Sequence, residues 1–299
     1  MCCLFGLIDY GHRLTGRQKG QLIRSLAWES EARGTDAAGV AYNSLGKLHI
    51  LKRPGAAHTL KPFIPEDAYV VMGHSRMTTQ GNAKYNRNNH PFSGKVPGTK
   101  FALAHNGVLY NDRTLRRTRN LPPTTIETDS YIAVQLLEQQ KTLTPSSLKT
   151  MAETVEGSFV FTVLDDQDNF YFIKGDNPLC LVQFYASTKP ILMMALDKLW
   201  LNREQAKEIP VDTREIITIT PDGSRMSSYF TPTEDFFSSF YLARRGSHIC
   251  STHSASPEAA YLRQLKNIAS TLGYSDLDIE ELLADGWSTD EIEEAIYGC

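Results

Sequence analysis

Met1-Cys2-Cys3-Leu4-Phe5-Gly6-Leu7 opens the chain, with a cysteine directly behind the initiator methionine and a short apolar run after it. Leu4 to Asp9 reads as a buried strand, and residues adjacent on a strand point to opposite faces, so Cys2 and Cys3 cannot serve one pocket. Methionine aminopeptidases remove Met1 when the next side chain is small, and cysteine qualifies. Removal leaves one residue with a thiol and a free α-amine, whose ordinary pKa values are about 8.5 and about 7.7–8.0. Near neutral pH a strong nucleophile and a proton acceptor then share one residue. A core-facing strand residue would open a chain the same way, so the downstream residues decide.

Five segments follow in order: Arg33-Gly34-Thr35-Asp36-Ala37-Ala38-Gly39-Val40, Gly73-His74-Ser75-Arg76-Met77-Thr78-Thr79-Gln80-Gly81, Asn89-His90-Pro91-Phe92, Ala104-His105-Asn106-Gly107 and Glu127-Thr128-Asp129-Ser130. Taken with Cys2, their order and spacing resemble the glutaminase domain of the class II glutamine amidotransferases, which are N-terminal-nucleophile hydrolases. The likeness runs from Cys2 to about Phe230. It implies a four-layer αββα sandwich, an α+β fold in which two antiparallel sheets lie between helical layers.

The residue pattern supplies a matching set of elements. Arg17 to Trp28 reads as a helix, Gly39 to Tyr42 and Leu48 to Lys52 as paired strands, and Tyr69 to Gly73 and Phe101 to His105 as short strands ending at motif loops. Ser130 to Gln139 reads as a helix. Ser158 to Leu164 and Phe170 to Lys174 form a hairpin, and Leu179 to Ala186 and Glu215 to Thr220 are further strands.

The resemblance assigns chemistry. Cys2 is the expected nucleophile, with its own α-amine as base. Asn106, through its side-chain amide, and Gly107, through its backbone N–H, are the expected oxyanion donors. The alternative for this pair is an ordinary Asn-Gly turn. Arg76 suits the substrate carboxylate because guanidinium meets carboxylate through a planar fork. Thr79 is expected to add a hydroxyl, Met77 a backbone carbonyl, and Asp129 a partner for the substrate ammonium. The plainer readings are a surface salt bridge for Arg76 and a helix N-cap for Asp129. Asp36, His74 and His90 are expected to support the pocket rather than to act on substrate. Cys3 stands where the family often has glycine, and Met77 where some relatives have an aromatic residue.

Composition excludes several classes. Hydrophobic residues make up 41% of 299 positions, and no apolar run approaches the ~20 residues of a membrane span. A formal charge of −3 argues against a general nucleic-acid binder. Five cysteines and eight histidines show no metal-ligand spacing, so no metal or cofactor is expected. The odd cysteine count and the lack of a signal-peptide pattern point to the cytoplasm.

The expected organisation is a glutaminase domain over 2–230, a linker over 231–257 and an acidic helical extension over 258–299. Glu258 to Leu272 reads as one helix and Ser275 to Tyr297 as a helical hairpin, with a capping box at Ser288-Thr289-Asp290-Glu291. The extension either caps the domain or offers a docking surface, and Arg113, Arg116, Arg117 and Arg119 form either a solvated face or a second such surface. Too few residues follow Phe230 for a synthase domain. The expected function is a stand-alone glutaminase subunit that hydrolyses L-glutamine through a Cys2 thioester and passes ammonia to a separate synthase or another acceptor. The alternatives are a ligand- or partner-binding protein without turnover, or an amidohydrolase of the same fold acting on a different amide.

Overall fold

The computed structural model describes residues 2–9, 11–186, 189–195 and 206–232, and in the C-terminal part 262, 266, 275–284, 287 and 292. By contacts the chain divides into two units, Met1–Thr233 and Glu234–Cys299.

In the first unit, a seven-stranded sheet runs in the order β11-β9-β10-β1-β4-β2-β3. Its strands are β1 (Cys3–Asp9), β2 (Ala37–Ser44), β3 (Lys47–Pro54), β4 (Val70–Arg76), β9 (Cys180–Ala186), β10 (Lys189–Ala195) and β11 (Ala206–Ile209). A six-stranded sheet runs β13-β12-β8-β7-β6-β5. It comprises β5 (Phe92–Val96), β6 (Thr99–Leu109), β7 (Gly157–Asp165), β8 (Phe170–Lys174), β12 (Glu215–Ile219) and β13 (Arg225–Tyr229). Every strand pairing is antiparallel.

Strand alternation explains the layers. On β1, Leu4 and Ile8 join Val160, Leu164, Phe170 and Phe172 in a core between the sheets. Phe5 and Leu7 face the other way, onto Ile23, Leu26 and Ala27 of α1 (Gly16–Ser30). On β6, Ala102 and Ala104 face the inter-sheet core, while Phe101 and Leu103 face a third core. That core includes Ile132, Leu136 and Leu137 of α3 (Tyr131–Gln140) and Leu148 and Met151 of α4 (Pro145–Thr154). β1, β4 and β8 are buried on both faces along their whole length, although antiparallel sheets more often alternate. Thr15 caps α1 and Thr144 caps α4, each in a capping box. The arrangement is the expected α+β sandwich of helix, sheet, sheet and helix.

Asp9 at the end of β1 and Lys19 on α1 form an ion pair of 3.2 Å with both side chains fully buried. The Lys19 ammonium also donates to the Glu66 and Ala68 carbonyls, and the Asp9 carboxylate accepts from the Arg13 and Leu14 amides. These bonds offset the desolvation of both charges and fix α1 on the sheet.

The structure amends several local readings. β5, β10, β11, β13 and α4 were not anticipated, whereas the expected solvated helical face around Arg113, Arg116 and Arg117 is α2 (Asp112–Thr118). Asn106 and Gly107 lie within β6 rather than in a loop, and Arg76 is the last residue of β4. In the second unit, α5 (Asp276–Ala284) is helical as expected, and Ile279 and Ile292 are buried together beside Leu262, Leu282 and Leu283. The capping box, all but Thr231 and Pro232 of the linker, and most of the helix over Glu258 to Leu272 fall outside the described residues. Among the described residues no helix is long and apolar enough to cross a membrane.

Candidate active site

The site begins where β5 stops. β5 pairs with β6 only as far as Phe92 against Leu103, whereas β6 runs on to Leu109 paired with β7 alone. Among the described residues, Ala104 to Leu109 therefore presents one edge without a strand neighbour. In an antiparallel strand successive N–H groups point to alternate edges. The Val108 N–H goes to the Ser158 hydroxyl on β7, while the Leu109 N–H donates to the Asp129 carboxylate at 2.7 Å on the open side. The Asn106 carbonyl turns to the β7 side, where Asn177 donates to it, and in a trans peptide the Gly107 N–H then points to the open side. The His105 carbonyl also faces that side, where it accepts from His74 Nε2 at 3.0 Å.

Gly107 is required where it stands. Its φ is +142°, and a Cβ there would lie 1.9 Å from the Ser158 carbonyl oxygen. The Asn-Gly pair is thus part of a strand and not a turn. By strand parity the Asn106 side chain points between the sheets with Ala102 and Ala104. Its Oδ1 is buried and has no partner among the described residues.

Cys2 enters from the other sheet. It is buried, and its thiol donates to the Met77 carbonyl at 3.4 Å. Burial pushes the thiol pKa up. Backbone hydrogen bonding at Met77 and the Arg76 charge pull it down, and the Asp129 carboxylate adds to the rise. Cys2, Arg76, Met77 and Asp129 therefore share one electrostatic neighbourhood, and the resting thiol keeps its proton. Cys3 faces the opposite way, toward Ser30 and Arg33, and burial raises its pKa strongly.

Arg76 is buried and held on three sides. Its Nη1 donates to Asn89 Oδ1 at 2.7 Å, and its Nη2 to the Gln80 and Gly81 carbonyls. These bonds leave N–H donors of the guanidinium without a partner among the described residues. It is not the surface salt bridge of the plainer reading. Behind it Gly34 allows the chain to pass, because a Cβ there would lie 2.5 Å from the Arg76 carbonyl carbon. Asp36 accepts from the Thr78 amide at 2.7 Å and donates its own N–H to the Arg76 carbonyl, fixing the turn after β4. Thr79 is exposed, whereas the buried hydroxyl of this loop is that of Thr78, which has no partner among the described residues.

Asp129 spends its carboxylate on the Leu109 amide of β6, so it is not a helix cap. Ser130, at the N-cap position of α3, instead bonds His105 Nδ1 at 2.8 Å. His74 and His90 pack with ring centroids 4.1 Å apart and planes tilted by 35°, both buried. Burial depresses both, His74 to about 3, so each is neutral at pH 7. They wedge the open edge of β6, with His90 packed on Phe92 where β5 begins. Among the described residues no cluster of three or more metal-ligating side chains is present.

Two contributors escaped the sequence reading. Asn89 lay within a quoted motif, but nothing in the sequence showed that its side chain reaches Arg76 while its Nδ2 holds the Ala83 carbonyl. Asn177, just after β8, donates to the Asn106 carbonyl at 2.9 Å. No spacing signal connects it to position 106.

Comparison with known proteins agrees. The glutamine amidotransferase domain family matches residues 74–195. Glutamine–fructose-6-phosphate aminotransferase (isomerizing) of Listeria innocua is 28% identical over 230 residues, covering 75% of this chain and 36% of that protein. The Bacillus cereus enzyme of the same name is 29% identical over 234 residues, covering 73% and 37%. The chain thus spans little more than a third of these relatives. Among solved structures, the glutamine phosphoribosylpyrophosphate amidotransferase of B. subtilis superposes with a TM-score of 0.63 at 17% identity, over 91% of this chain and 58% of that one. That likeness concerns the fold. Residues 74–195 thus match a glutamine amidotransferase domain, and the sandwich around them shares its fold with a solved amidotransferase.

Proposed function

We propose that the protein is a glutaminase subunit that hydrolyses L-glutamine to glutamate and ammonia through a thioester on Cys2, once Met1 has been removed. The observation that carries this reading is the convergence of the Cys2 thiol with Arg76 and with Asp129, whose carboxylate holds the Leu109 amide of β6 two residues beyond Gly107.

Arg76 offers its guanidinium charge and a remaining N–H donor to the substrate α-carboxylate, and Asp129 its carboxylate to the α-ammonium. The Cys2 α-amine takes the thiol proton as sulfur attacks the carboxamide carbon. The carbonyl oxygen gains negative charge toward the Asn106 amide and the Gly107 N–H, where one donor is worth about 2.7–4 kcal/mol of barrier. The tetrahedral adduct collapses by breaking the C–N bond, and the α-ammonium returns its proton to the departing ammonia. Water then attacks the thioester, with the same amine as base, and glutamate leaves. The buried acceptor Asn106 Oδ1 suits a hydrogen bond from the α-amine or the carboxamide. Neutral, enclosed His74 and His90 take no part in proton transfer. Thr79 would join the carboxylate site through closure of the loop over 77–81.

The ammonia goes to a separate synthase or another acceptor, and a thiol nucleophile of this kind fits a reducing cytoplasm. The domain boundaries near 230 and 257 and a capping or docking role for the acidic extension belong to the same reading.

Intact mass before and after 6-diazo-5-oxo-L-norleucine tests it. Loss of Met1 and one covalent adduct are expected, with the adduct abolished in Cys2→Ala and kept in Cys3→Ala. A retained Met1, or a processed chain that takes no label, would overturn it.

A further inference from the structure

The Asn106 carbonyl and the Gly107 N–H belong to one peptide unit. Strand geometry points the carbonyl toward β7 and the N–H toward the open edge. Asn177 reaches this unit from the β7 side, its Nδ2 lying 2.9 Å from the Asn106 oxygen. A carbonyl only accepts, so the Asn177 amide must present its NH2 group there. The contact is close-built: a Cβ on Gly107 would lie 2.8 Å from the same nitrogen.

Asn177 is itself anchored. The Lys174 ammonium donates to the Asn177 carbonyl at 2.9 Å and to the Gly175 carbonyl at 3.3 Å. The Gly175 amide donates to the Phe159 carbonyl at 2.9 Å, and the Phe159 amide to the Asp176 carboxylate at 3.2 Å. The segment after β8 is thereby fastened across β7, one strand away from the substrate side.

We propose that Asn177 is a positioning residue for the oxyanion site, acting from behind on the peptide whose N–H receives the developing charge. This rests on the proposed glutaminase reading. A donor on a peptide carbonyl draws electron density through the amide and makes its N–H a stronger donor, an effect of about 10–30% per bond. The gain is largest when the acceptor is an oxyanion, because charge-assisted bonds respond most. Asn177 also fixes the plane of the peptide, so the N–H is aimed before substrate arrives. It touches no substrate atom in this scheme, so ground-state binding through Arg76 and Asp129 is left alone.

The test compares Asn177→Ala and Asn177→Asp with wild type in glutamine hydrolysis and in inhibition by two ligands. L-glutamate γ-semialdehyde forms a tetrahedral adduct with the thiol, and L-glutamate does not. The expected result is a fall in kcat of about 3- to 10-fold, with KM for glutamine within twofold. Semialdehyde affinity falls in parallel, and glutamate affinity holds. Asn177→Asp keeps the shape but turns an acceptor toward the carbonyl, so it falls at least as far as Asn177→Ala. Unchanged kcat in both variants, wild-type kcat in Asn177→Asp, or a rise in KM alone overturns the assignment. A wild-type protein that neither takes the diazo label nor turns over glutamine overturns the glutaminase reading, and this assignment with it. Insensitivity to Asn177 in an active wild type overturns the assignment alone.

Discussion

Acidification offers a quantitative test of the buried histidines. His74, His90 and His105 are enclosed, and burial is the leading cause that depresses each of them below the ordinary 6.5, His74 to about 3. Above pH 6.5 both the folded and the unfolded chain carry them neutral, and they contribute nothing to pH dependence. Below it the unfolded chain binds a proton at each, while the folded chain keeps His74 and His90 neutral to far lower pH. Stability is therefore lost as pH falls from about 6.5, by up to about 1.4 kcal/mol per pH unit per group, levelling for His74 near 3. Between pH 7 and 5.5, His74 and His90 together remove about 2–3 kcal/mol. That is a large part of a typical 5–15 kcal/mol. Urea unfolding followed by far-UV circular dichroism at several pH values measures the loss. His90→Phe isolates one contribution, since neither His90 ring nitrogen has a partner among the described residues and its ring packs on His74 and Phe92. The variant should fold and should lose about 1 kcal/mol of the pH-dependent change. A midpoint independent of pH over this range, or a slope unaltered by His90→Phe, would refute the account.

Two further outcomes follow from named contacts. Asn89→Ala removes a bond to a charged donor, of a kind worth about 1.5–3 kcal/mol. It should raise KM for glutamine about tenfold or more with a smaller change in kcat, as steady-state kinetics would show. Asp9→Ala strands the buried Lys19 charge and should cost about 3–5 kcal/mol in urea unfolding, while Asp9→Ala combined with Lys19→Met should recover most of it.

Much of the candidate site could be read in advance because the chemistry proposed for it uses residue types with few other reasons to recur in that order. Cys2, Arg76, Asn106-Gly107 and Asp129 fall in one neighbourhood or along one strand edge, as their motifs led one to expect. The strands carrying the motifs were legible as apolar runs, though two were placed too short, because polar Asn106 and Arg76 continue strands that a hydropathy pattern ends. β5 was missed for a related reason: Phe92-Ser93-Gly94-Lys95-Val96 alternates buried and exposed positions over only five residues. α4 was missed although Thr144-Pro145 marks its start, since Ser146, Ser147 and Thr150 dilute its apolar face. The roles of Asn89 and Asn177 depend on side chains meeting backbone groups across strands or a loop, and amides of that kind leave no periodic trace. Thr79 illustrates the remaining gap. The loop carries two adjacent hydroxyls, and composition does not say which one turns inward.

The early end of β5 has a consequence for how the protein responds to its substrate. Sheet edges are usually a liability at the surface, where they recruit foreign strands. Here the edge is lined by His74 and Asp129, with His90 packed against His74. A ligand bound there stands in for the absent stretch of strand and completes the sheet's own bonding. Glutamine and its analogues should therefore slow amide hydrogen exchange along β6 and the facing segment of β7, well beyond the residues they touch. Occupancy would be readable in the backbone even for a variant that performs no chemistry.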